Sequence, residues 1–444
     1  MTVPSFLRTP VTRGVGMLAV LGAIGLGLIA YRFAAGLGAV TNLSDGYPWG
    51  FWIGMDVLVG IALAAGGFVM AGVVHLFGGH RFHPLARPAV LTALLGYLLF
   101  IFALSVDLGR PWNIWQALIS WNHVSPMFEV SWCVTFYTFV LALEFAPVVF
   151  ERFGWRTLHR WWFQSTPFAI IGFVMLFVFA MTGSPAWVLA MGGALGLWET
   201  LMRLGVMRRD HQMPILLITA GILFSTMHQS SLGTLFLITD KLGPLWYTPI
   251  LPLLFFLSAV MVAPAMVIVE ATLSARVVRH KAEPGLLDAL GRAMPYLIVT
   301  YLLVRVSDML GRGVVLEAMR GFWPTVWWWL EIALLLTAVA LFATAEIRRR
   351  PWGLPLAAWA TVLGLVVHRT GVAVVGLDVP EYPRYVPHVA EVLITVGIVS
   401  LGLLAFRIAV AVLPVYETHA MLTSPDVPTV PPLPQRELAP VSSA

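Results

Sequence analysis

His228 is the side chain in this sequence best suited to chemistry. It sits in the run Ser225–Ile238, STMHQSSLGTLFLI, beside Gln229, Ser230 and Ser231. The surrounding segment is otherwise apolar and of about membrane length. A polar side chain in hydrocarbon is costly unless it has a partner or lines a polar cavity. Imidazole titrates near neutrality, which suits proton exchange. The four polar residues together favour a local polar site over a lone core histidine.

Other ionisable residues fall at graded depths in apolar segments. Asp56 lies one to two turns in from one end of its segment, Glu129 near the start of another, and Tyr97 at mid-depth. Glu144 and Glu270 approach the opposite ends of theirs. By depth alone these groups could form a discontinuous ladder for protons, with His228, Glu129, Asp56 and Glu270 as its carriers. Plainer readings stand beside that one. Asp56 also reads as a buried carboxylate that fixes helix packing. Glu144 and Glu270 also read as interfacial partners of nearby arginines, and Tyr97 as ordinary packing. Arg305 and Asp308, three residues apart on one helix face, read as a structural pair.

A second polar cluster runs Ser105-Val-Asp107-Leu-Gly-Arg110-Pro-Trp112-Asn113-Ile-Trp115, followed by Trp121-Asn122-His123-Val-Ser-Pro126-Met-Phe-Glu129. Flat aromatic walls with hydrogen-bond donors suit a quinone headgroup. Tyr97, Asp107, Arg110, Trp112 and His228 are the candidate quinone contacts. The alternative is an interfacial aromatic belt with a solvated Asp107–Arg110 pair.

The elements that must position these groups follow from composition. The chain has 444 residues, 59% hydrophobic and 11% charged, where soluble proteins carry about 25% charged residues. The apolar content comes in blocks of roughly 16–27 residues, the pattern of a polytopic helical membrane protein and not of a β-barrel. The expected fold is all-α, a transmembrane bundle of about 10–12 helices. Twelve segments are read: 14–38, 51–78, 86–106, 127–150, 164–182, 185–203, 213–238, 249–275, 292–311, 323–346, 353–375 and 389–413. The fifth and sixth are short, so ten helices plus a re-entrant pair is the other reading. The first apolar run, Val15–Ala30, shows no convincing cleavage site.

Alternate loops are basic, with seventeen cations in one set against six in the other. The six include Arg369, read as a loop residue. The bias predicts an inner-membrane protein with a cytoplasmic N-terminus, residues 1–13, and a cytoplasmic C-terminus. The transmembrane domain is expected over 14–414. Residues 415–444, rich in proline, are expected to be a disordered tail. The net charge of +5 lies in short loops and does not indicate nucleic-acid binding. The single cysteine, Cys133, excludes an internal disulfide and a cluster held by four cysteines of this chain. Only His228 is clearly mid-membrane among the histidines, with His368 read as near an end. The expectation is therefore no haem and no metal, with electrons brought by a partner.

The run STMHQSSLGTLFLI, the following Gly243-Pro-Leu-Trp-Tyr-Thr-Pro-Ile-Leu-Pro252 and the early Tyr47-Pro-Trp-Gly-Phe-Trp-Ile53 resemble the HybB-type membrane subunits of periplasmic nickel–iron hydrogenases. Those subunits belong to the wider NrfD-like, polysulfide-reductase-type family of quinone-reactive anchors. The stretch DLGRPWNIWQALISWNHVSPMFEVSW is similar to that family too, and the resemblance covers roughly 45–410. Residues 164–212 depart from it as an apparent insertion. The resemblance implies a helical core without haem or metal of its own, and menaquinone or ubiquinone as substrate. It also implies a ferredoxin-like iron–sulfur subunit on the outer face, with hydrogenase small and large subunits beyond it, and proton movement coupled to quinone chemistry. A related sulfur-metabolism complex, a proton-coupled transporter without redox function, and a purely structural anchor are the alternatives.

Overall fold

The structure is a computed structural model that describes residues 13–47, 49–77, 79–205, 215–277, 284–321, 323–377, 379 and 382–416. Most of the expected N-terminus and all but two residues of the expected tail lie outside the described residues, as do Arg208, Arg209, Arg279 and Lys281. Within the described residues the chain forms twelve long helices. They are α1 (Arg13–Ala35), α2 (Ile53–His75), α3 (His83–Asp107), α4 (Pro126–Phe153), α5 (Arg156–Thr182) and α6 (Pro185–Arg203), then α7 (Ile215–Phe236), α8 (Leu251–Val277), α9 (Pro284–Gly311), α10 (Trp323–Ala343), α11 (Gly353–Val375) and α12 (Val389–Val412).

Eleven of the twelve are long and apolar enough to cross a membrane. The remaining one, α6, has 19 residues. At 1.5 Å per residue it reaches about 28 Å, close to the thickness of a hydrocarbon core. The fold is therefore the expected polytopic bundle. Helix α5 starts at Arg156, eight residues before the apolar block, because a helix does not stop where its side chains turn polar.

The packing divides into two bundles. Helices α2, α3, α4 and α7 surround one apolar core, and α8, α9, α10 and α11 surround another. Helix α2 touches both α8 and α11 and so joins the two. The α5–α6 hairpin lies against α4 and α7, while α1 pairs with α12 along the side of α3.

Two features set the backbone where the bundles meet. Ile53–Val59 in α2 and Gly371–Val375 in α11 are widened, π-helical turns that pack against each other. Such turns redirect side chains and recur at functional sites. Elsewhere small residues bring helices close, as membrane helices require. One case is α1 on α12, where a Cβ added to Gly25 would lie 2.7 Å from the Cα of Gly397. Gly25→Val is expected to push the two helices apart at a cost of about 1–3 kcal/mol. A lower midpoint in thermal unfolding of the detergent-solubilised protein checks this.

Candidate functional site

His228 is fully buried in α7, and neither ring nitrogen has a hydrogen-bond partner. Its ring meets Tyr137 of α4 edge-on, centroids 5.2 Å apart, and Phe100 of α3 at 6.3 Å. Tyr137 lies 4.1 Å from the ring of Tyr97, whose hydroxyl approaches Ser225 Oγ at 3.5 Å. The Tyr137 hydroxyl is buried without a partner. The first bundle thus closes two tyrosines, a serine and an unpaired imidazole around one point. Tyr97 and His228, predicted as quinone contacts, are brought together.

The next residue on α7 leads into the second bundle. Gln229 Oε1 faces the guanidinium of Arg369 at 3.4 Å. Arg369 also donates to the Phe255 carbonyl (2.9 Å) and to Ser258 Oγ (3.0 Å), and stacks on the Phe255 ring at 3.5 Å. It is completely buried, and its Nε and Nη1 atoms have no hydrogen-bond partner. Beside it, His368 Nδ1 lies 3.0 Å from Arg305, which is ion-paired with Glu331. Tyr301 bridges the pair, donating to Glu331 (3.0 Å) and accepting from Arg305 (2.9 Å). Buried polar clusters therefore stand next to one another across the two bundles, joined by the Gln229–Arg369 contact.

Several of these residues depart from the sequence reading. Arg369 and His368, read as a loop residue and an end residue, lie inside α11. Arg305 pairs with Glu331 of α10 and not with Asp308, which binds Arg312 and Thr248 at 2.8 Å each. Tyr137, Tyr301 and Glu331 were not singled out. The signal for Arg369 was present: a His–Arg pair inside an apolar run obeys the same cost argument as His228.

The other predicted residues stand apart. Asp56, in the widened turn of α2, accepts from Thr395 of α12 at 2.8 Å. Together with Asp107, Glu391 and Arg32 it forms an electrostatic cluster at the end of the bundle opposite the basic loops. Tyr385, in the loop before α12, donates to Glu391. Burial and that carboxylate hold its phenol well above the ordinary value, so it remains a donor. Arg110 is exposed and Trp112 is 68% exposed, on the loop beyond α3. Asp107 lies ten residues, about 15 Å, along α3 from Tyr97. Arg110 and Trp112 therefore do not share a pocket with His228. Glu129 is half-buried in the first turn of α4. Glu270 accepts from Tyr416 at 3.4 Å near the basic end.

Buried acids, bases and tyrosines between long apolar helices define a polytopic helical membrane protein with ionisable groups in its interior. The chain belongs to the polysulphide reductase, NrfD family, whose model matches residues 39–380. It is 31% identical to the probable Ni/Fe-hydrogenase 2 b-type cytochrome subunit of Escherichia coli, over 87% of this chain and 88% of that one. It is 26% identical to the integral membrane subunit of menaquinone reductase from Nitratidesulfovibrio vulgaris, over 88% and 89%. It is 24% identical to a selenate reductase subunit of Mesobacillus selenatarsenatis, over 90% and 92%. The family resemblance read from the motifs is borne out.

One expectation is corrected. The absence of haem is overturned by the Escherichia coli relative, whose name is that of a b-type cytochrome subunit. His228 and His368 are the fully buried histidines among the described residues, each with an unpartnered Nε2, and they stand on α7 and α11. The sequence reading placed His368 at a helix end and so did not count it among the buried histidines.

Proposed function

We propose that this chain is the integral membrane subunit of a quinone-linked respiratory oxidoreductase, and that a quinone headgroup is bound where His228, Gln229 and Arg369 meet. The observation that carries the reading is the set of unsatisfied buried polar groups on these three residues. Both His228 nitrogens, Gln229 Nε2 and Arg369 Nε and Nη1 lack partners in the fold. Each such group costs about 1–3 kcal/mol when left unmade, and more when charged. A quinone carbonyl accepts hydrogen bonds without adding a charge of its own, and its developing negative charge on reduction is stabilised by the buried guanidinium. Tyr97, Tyr137 and Phe100 supply the flat apolar walls.

The names of the relatives support the same reading, since they are subunits of hydrogenase, menaquinone reductase and selenate reductase complexes. The partner is read as an iron–sulfur subunit that bears on the exposed loop carrying Arg110 and Trp112, with a nickel–iron hydrogenase behind it. The excess of cations in alternate loops supports a reading with both termini and the inner ends of the helices on the cytoplasmic side. A haem in this chain would supply one-electron transfer between partner and quinone, and His368, whose buried Nε2 has no partner, is the buried histidine outside the quinone site that would hold it. Asp56, Glu129 and Glu270 are read as proton-handling groups at the two faces.

Arg369→Gln tests the site. It keeps hydrogen-bonding capacity but removes the buried charge. Quinone-linked turnover of the assembled complex is expected to fall at least about tenfold, or roughly 1.4 kcal/mol in the barrier. Dye-linked activity of the partner should be unchanged. Wild-type quinone turnover in the variant would remove Arg369 from the site.

A further inference from the structure

A cavity of about 830 Å³ opens at the end of the molecule that carries the basic loops. Four helix ends surround it: the last turn of α2, the first turns of α3 and α5, and the last turns of α4. His83, Arg87, Glu151, Arg156, His159 and Arg160 form its rim. The deeper walls are apolar, with Ala86, Val90, Val148 and Phe163. Glu144 lines the far side, about 13 Å along α4 from the helix end at Phe153.

The first turns of α5 set the charge of this rim. Helix α5 has 27 residues and so reaches about 40 Å, more than the roughly 30 Å of a hydrocarbon core. Its polar start therefore stands in the headgroup layer. Arg156, His159, Arg160, Phe163 and Gln164 follow helical spacing, so one face of α5 is turned to the cavity. Arg87 is ion-paired with Glu151 at 3.3 Å, which engages the acid of the rim. Arg156 and Arg160 are exposed and have no ion-pair partner among the described residues. No side chain caps the first turn of α5, and a helix N-terminus adds positive potential. Two free guanidiniums thus overhang an apolar shaft. They stand one turn apart, about 6 Å between Cβ atoms, close enough to grip one phosphate.

We propose that this cavity is a binding site for an anionic phospholipid of the adjoining leaflet. Its phosphodiester is held by Arg156 and Arg160, and an acyl chain lies along Ala86, Val90, Val148 and Phe163. Charge and polarity match along the whole shaft: cations at headgroup depth, hydrocarbon walls below. Basic pockets between membrane helices take such headgroups, and the volume lies within the roughly 300–1,000 Å³ of ligand pockets. A free phosphate would meet the rim and leave the apolar walls uncovered. A quinone has no anionic group for the two arginines. Glu144, at the far side, is beyond the reach of the headgroup. The lipid fills the gap between α5 and the ends of α3 and α4. The inference is independent of the quinone reading and of which way the chain lies in the membrane.

Native mass spectrometry of the assembled complex tests this. The complex is stripped of lipid in detergent and titrated with phosphatidylglycerol or with zwitterionic phosphatidylcholine of the same chains. The double variant Arg156→Gln, Arg160→Gln is expected to hold one phosphatidylglycerol fewer than wild type, its affinity at this site at least about tenfold weaker. Both side chains are exposed, so the fold is kept. Phosphatidylcholine should bind wild type and variant alike. Val148→Trp, which narrows the apolar shaft with the cations in place, should also lose the lipid. Equal phosphatidylglycerol binding by wild type and the double variant would overturn the proposal. Displacement of the lipid by inorganic phosphate would mean a free-anion site and would overturn the lipid as occupant. So would a quinone mass, and not a phospholipid mass, missing from the double variant.

Discussion

His228→Ala is expected to leave the complex assembled and to reduce quinone-linked electron transfer at least about tenfold. Both ring nitrogens are unpartnered, so the substitution breaks no hydrogen bond that holds the fold. The packing loss is that of one ring against Tyr137 and Phe100. Stability should therefore change less than turnover. A tenfold change corresponds to roughly 1.4 kcal/mol in the barrier, less than one charge-assisted hydrogen bond can contribute. The measurement compares quinone-linked with dye-linked rates in purified complex. Equal loss of both would show a defect in assembly. Wild-type quinone rates would show that His228 only packs.

Glu331→Ala is expected to have the largest effect on stability. The Arg305–Glu331 pair is nearly inaccessible, at 3% and 1% side-chain exposure. Removing the acid leaves a guanidinium in a low-dielectric core with Tyr301 and His368 for company. Breaking a buried pair from one side costs about 3–5 kcal/mol. The double substitution Arg305→Met, Glu331→Leu removes both charges and should recover much of that loss. Membrane abundance and thermal unfolding of the two variants check this. A single variant as stable as wild type would mean that the pair is not charged. Recovery in the double variant, with quinone turnover still low, would assign the pair a part in function beyond holding α9 to α10.

The sequence alone was sufficient for the class and for the helices. Twelve apolar blocks became twelve long helices, because hydrocarbon forces every backbone group to be satisfied within its own segment. The cost of burying polar groups picked out His228 and Tyr97 for the same local reason. Pairing between distant segments was not legible. Arg305 stands closer in sequence to Asp308, yet it binds Glu331, 26 residues away on the next helix. Arg369 reaches Gln229 across 140 residues because α7 and α11 both pack on α8, where Arg369 also binds Phe255 and Ser258. Glu144 could be read as an interfacial acid until the helices around it enclosed a cavity. Depth in the membrane is a property of one segment and can be read along the chain. Which faces meet is decided by side-chain packing among many segments, and only the tertiary structure resolves it.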